Sequence, residues 1–216
     1  MKSRIFKTII SAAFLALALA AAQPAKAITI YTLTTGNSAI SGYSGPYGTV
    51  SVSLTDSGTA NITFTAAAGY VFGGQGVAAV NVNAASWTIG SFSGVPASSG
   101  PLSDGGANTE DGFGTFNQTV DSFDGYNSAF TSLSFKLTSS LGTWGSDSSV
   151  LAAISGGWFV ATHVFVVGPN GALATGYAAG VEGGGGPGAP DGGSTVVLLG
   201  CALAGIGAVG RKICKA

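Results

Sequence analysis

The sequence predicts an all-β protein, an antiparallel β-sandwich of jelly-roll-like kind. Between its two ends, apolar residues recur with a period of two in nine short runs, the spacing that puts one face of a strand in a core. The gaps between runs are filled by Gly, Ser, Asn and Asp, the residues that supply turns.

Residues 28–34 form the first run. In residues 49–55, Val50, Val52 and Leu54 share one face, and after Asp56, Ser57 and Gly58 the pattern resumes with Ala60, Ile62 and Phe64. Two alternating runs across a short polar turn predict a hairpin. Further runs follow at 78–82, 87–92, 113–120, 130–138, 158–167 and 172–178. The run at 158–167 is apolar on both faces, with Val160 and Val164 opposed by Ala161 and Phe165, so it belongs in the middle of a sheet covered on both sides. Helix signals occur only at 146–155, where Ser146 or Asp147 caps a short apolar turn that ends at Gly156 and Gly157.

The two ends follow a different logic. Lys2, Arg4 and Lys7 precede an uncharged apolar run over 9–22, and Ala25 and Ala27 occupy the small-residue positions of an A-x-A-like cleavage site. Residues 1–27 therefore read as a secretory signal peptide, cut between Ala27 and Ile28. A globular ectodomain is expected over 28–181, followed at 182–189 by a Gly-rich linker with no apolar side chain to bury. Residues 194–210 are uncharged and as a helix would reach about 25 Å, the short end of a transmembrane span. Arg211, Lys212 and Lys215 form a basic tail at 211–216 that holds its end of the helix on the cytoplasmic side.

Charge and cysteine content exclude several classes of function. Between residues 28 and 190, Lys136 is the only basic residue against eight acidic ones, a net charge of minus seven. Such a surface cannot neutralise a run of phosphates, so nucleic acid is excluded as a partner. Cys201 and Cys214 lie in or beyond the apolar tail, which leaves the ectodomain without a disulfide or a thiol nucleophile.

The candidates for chemistry are few. His163 is the sole histidine and sits mid-strand, a place for a buried imidazole bonded to a neighbour rather than a catalytic base, and no catalytic residue is expected. Asp104, Asn108, Glu110 and Asp111 stand close together in a Gly-rich stretch, and clustered loop oxygens suit calcium; ordinary polar turns are the competing reading, and no other cofactor is expected. Of the tryptophans, Trp144, between Thr143 and Gly145, reads as the exposed one that could take a sugar ring. The sequons at Asn61 and Asn117 fall within strands.

Pro190, Asp191, Gly192, Gly193, Ser194 and Thr195, followed by the apolar span and the basic tail, resemble the C-terminal sorting signal of PEP-CTERM proteins, in the branch whose motif reads Val-Pro-Asp-Gly/Ser-Gly-Ser-Thr. Ala189 stands where that branch carries Val. The resemblance implies that residues 190–216 are read by exosortase, a membrane-embedded cysteine protease, whose cleavage frees the ectodomain from its anchor. The stretches at 111–117, 123–126 and 172–177 also resemble ectodomains that carry this tail, and imply no activity. The expected function is a non-enzymatic protein of the cell surface or extracellular matrix, in contact with the membrane and with extracellular polysaccharide. A carbohydrate-binding module or adhesin is the alternative, and a secreted hydrolase the third reading.

Overall fold

The computed structural model describes residues 28–97, 100–123 and 125–183. The segments expected to be the signal peptide, most of the linker, the sorting motif, the transmembrane helix and the basic tail lie outside the described residues. Among those described, no helix is long and apolar enough to cross a membrane.

Eleven strands make up a single antiparallel sheet among the described residues. They are β1 (Thr29–Gly36), β2 (Gly48–Asp56), β3 (Thr59–Ala66), β4 (Tyr70–Phe72), β5 (Ala78–Val80), β6 (Trp87–Ser93), β7 (Ser103–Glu110), β8 (Gly114–Asp121), β9 (Ser132–Ser139), β10 (Val160–Gly168) and β11 (Gly171–Glu182). Their order is β6-β9-β3-β2-β1-β11-β10-β5-β8-β7, and β4 pairs with β10 beside β5. The predicted hairpin is present: Val50 pairs with Phe64 and Val52 with Ile62, and Asp56 Oδ1 accepts the Gly58 N–H at 2.8 Å to close the turn.

The sheet curls until its two outer strands are linked through one side chain, Gln118 on β8. The Trp87 indole N–H on β6 donates to Gln118 Oε1 on β8 at 2.9 Å, and Gln118 Nε2 donates in turn to Asp104 Oδ1 on β7 at 2.8 Å. Gln118 is 4% exposed, so this link is buried, and both ends of its amide are satisfied within it. The barrel-like enclosure holds one large core that includes Tyr31, Val52, Ile62, Phe64, Phe135 and Val164. A smaller cluster of Ala79, Phe113, Phe116, Ala161 and Ala179, with Trp158 against it, forms separately from the large core. Residues from β10 contribute to both clusters, as the two-sided apolar pattern of 158–167 predicts.

Two features differ from the sequence reading. Residues 103–110, read as an acidic loop, form β7, because β8 offers a hairpin partner and register shifts at Gly106 absorb the misfit of a Gly-rich strand. The short helix expected over 146–155 contracts to a 3-10 turn at Asp147–Ser149, capped by Ser146 in a capping box. Asp147 turns inward, where its Oδ1 accepts the Leu54 N–H at 2.6 Å and ties the turn to β2.

Candidate functional site

The most unusual chemistry in the described residues lies at the tip of the β7–β8 hairpin. Glu110 ends β7 and is 1% exposed, with no hydrogen-bond partner for either carboxylate oxygen among the described residues. A Cβ on Gly76 would fall against both of those oxygens. The Gly76 N–H donates to Asp121 Oδ1 at 2.9 Å, so two carboxylates from β7 and β8 converge on one glycine. Gly76 has φ +63°, a left-handed conformation that side chains rarely adopt, and its loop fills the gap on β10 between β4 and β5. Burial, and then the neighbouring charge of Asp121, raises the Glu110 pKa from its ordinary value to about 8.

Asn37, in the loop after β1, fastens the same hairpin tip. Its Nδ2 donates to Asp111 Oδ2 at 3.1 Å and to the Asp111 carbonyl at 3.3 Å. Its Oδ1 is buried and receives no donor among the described residues.

The four oxygen-bearing candidates singled out in the sequence do not assemble into one shell. Asp104 and Glu110 stand at opposite ends of β7, about 20 Å apart at the rise of an extended chain. Asp104 is used in closing the sheet and accepts the Gly106 N–H at 2.8 Å, Asn108 Oδ1 accepts the Thr109 N–H at 2.8 Å, and Asp111 faces Asn37. Among the described residues no three His, Cys, Asp or Glu side chains group as a metal cage. Asp121 was missed as a neighbour of Glu110 because the β7–β8 register pairs Glu110 with Gly114 and Asp121 with Ser103, and only the Gly76 loop, more than thirty residues earlier in the chain, touches both carboxylates.

The remaining candidates have structural places. His163 Nε2 lies 2.8 Å from Thr175 Oγ1, and its ring stacks on Tyr177 at 4.7 Å and 19°, with Phe165 at 5.0 Å. Two rings stacked this closely across neighbouring strands turn their faces to each other. Trp144 is not the exposed aromatic its loop suggested: it is 5% exposed, and its indole N–H donates to the Asn83 carbonyl at 2.9 Å. The reason is tertiary, since the Trp144 N–H bonds the Ser57 carbonyl at 2.7 Å and draws this loop against the β2–β3 turn. The Asn117 sequon is occupied structurally, its side-chain amide bonded at both ends to Val82.

A shallow groove of 310 Å³ opens elsewhere, over β2, β3, β6 and β9. Ser53, Asn61, Thr63, Ser134 and Lys136 line it.

Residues 190–213 match the family model described as VPDSG-CTERM motif. This motif is a C-terminal sorting signal related to PEP-CTERM, and it implies export, a membrane-associated sorting step and processing by an exosortase-like membrane enzyme. No curated protein and no solved structure matches the chain.

Proposed function

We propose that the chain is a non-enzymatic protein of the cell envelope or extracellular matrix, delivered by its signal peptide and released from its C-terminal anchor by an exosortase-like protease. The observation that carries this reading is the sorting motif at 190–213. Pro190, Asp191, Gly192, Gly193, Ser194 and Thr195 form the recognition element, in which proline fixes the backbone and Asp191 supplies the only charge. Residues 194–210 hold the precursor in the membrane, and Arg211, Lys212 and Lys215 keep the tail on the cytoplasmic side. The ectodomain then reaches its final place as a folded all-β module. A role in contact with neutral matrix polysaccharide is supported by the groove beside Lys136, which offers hydroxyls, an amide and one ammonium without a carboxylate in its lining.

Replacing Pro190 and Asp191 together by alanine is expected to leave at least nine-tenths of the protein as membrane-bound precursor in cells that carry the protease. Leucine at Cys201 and Cys214 should change nothing, because neither thiol has a role in this scheme. Immunoblots of membrane and released fractions decide, and release of the motif variant at the parental level would reduce the tail to a plain anchor. N-terminal sequencing of the released protein should begin at Ile28.

A further inference from the structure

We propose that the carboxylates of Glu110 and Asp121, converging on Gly76, bind a divalent cation of the calcium class. This inference does not depend on the sorting reading. Two independent observations carry it. The first is the convergence itself: Asp121 Oδ1 is bonded to the Gly76 N–H at 2.9 Å, and the Glu110 carboxylate lies against the same residue. The second is that Glu110, 1% exposed, has two oxygens with no donor among the described residues. A buried carboxylate without a hydrogen bond is costly, and a second carboxylate beside it raises the cost, so the pair requires either a proton or a cation to compensate it.

The chemistry of the surroundings selects the cation. The unpartnered atoms at this hairpin tip are oxygen acceptors, Glu110 Oε1 and Oε2 and Asn37 Oδ1, which suits a hard ion rather than zinc with its preference for nitrogen and sulfur. A carboxylate can bind calcium through both oxygens at once, and calcium tolerates irregular geometry with water in the remaining positions. Gly76 is what makes the approach possible, since any side chain there would occupy the space of the Glu110 carboxylate. With two protein carboxylates the affinity belongs in the range of extracellular calcium modules, dissociation constants of about 0.1–1 mM.

Thermal unfolding of the full chain, in detergent, with 10 mM calcium chloride against EGTA tests the proposal. Saturation at about ten times the dissociation constant or more should raise Tm by about 4 °C or more. Glu110→Gln and Asp121→Asn should each abolish the shift, whereas Asp56→Asn, in the β2–β3 turn, should keep it. Equal Tm in calcium and EGTA for the parent, or a calcium shift that survives both Glu110→Gln and Asp121→Asn, would overturn the site and leave a proton as what neutralises the pair. Since Asp121→Asn preserves the shape and the Gly76 bond, a folding failure of the Glu110 variant would not obscure the result.

Discussion

Phe64→Ala is expected to cost about 4 kcal/mol, more than any other single truncation proposed for this domain. Phe64 is 0% exposed at the middle of β3, between Val50 on β2 and Leu133 on β9, with its ring stacked on Phe135 at 6.2 Å. Truncation removes the transfer energy of the ring and leaves a cavity that strands paired on both sides cannot close. Against a typical total stability of about 5–15 kcal/mol, that loss is enough to populate the unfolded state near 37 °C. Thr63, one residue earlier, points to the opposite face, so Thr63→Ala should change stability by less than about 1 kcal/mol. The urea midpoints of the two variants check the contrast, and equal shifts would mean that β3 does not pack its Phe64 face inward.

The second large effect concerns pH. With EGTA present, Glu110 holds its proton up to about pH 8 in the folded chain, against an ordinary value of 4.5 when exposed. The folded state therefore binds a proton that the unfolded state has released. The stability this proton confers is fully present below about pH 4.5 and is lost as pH rises through the folded value. Between roughly pH 5 and 8 the parent should lose about 1 kcal/mol per pH unit, and on the order of 3 kcal/mol in all. Glu110→Gln removes that slope. The buried amide carries its own desolvation cost, which is independent of pH, so the slope of stability against pH is the measurement, taken from urea titrations at pH 5, 6.5 and 8. Parallel slopes for parent and variant would show that Glu110 titrates as an exposed carboxyl does.

Most of the sheet could be read from the sequence because alternation is a local signal wherever one face is buried. β2 and β3 are the clearest case, with Val50, Val52, Ile62 and Phe64 all at 0% exposure. β4 escaped because three residues cannot show a period, and β7 because Gly105, Gly106 and the polar residues around them carry no alternation. β7 is a strand by virtue of its partner β8, and such information is not local. The same limit hid the candidate site. Glu110 was legible as a candidate oxygen donor, but its burial and its approach to Asp121 depend on where the Gly76 loop enters the edge of β10. Trp144 failed in the opposite sense, since a loop composition of Gly, Thr and Ser reads as exposed while the fold draws the indole inward.

The position of β11 has a consequence for timing. It is the last strand in the chain, yet it lies between β1 and β10, joining β6-β9-β3-β2-β1 on one side to β10-β5-β8-β7 on the other. Tyr31 at the start of β1 pairs with Glu182 at the end of β11, so contacts of the longest sequence separation in the domain close last. A chain threaded N-terminus first through a secretion channel can form its early hairpins as they emerge, but it cannot join the halves until residue 182 is through. Only the spacer then separates the finished domain from the sorting motif. The two halves can therefore join only when nearly all of the chain that precedes the sorting motif has passed.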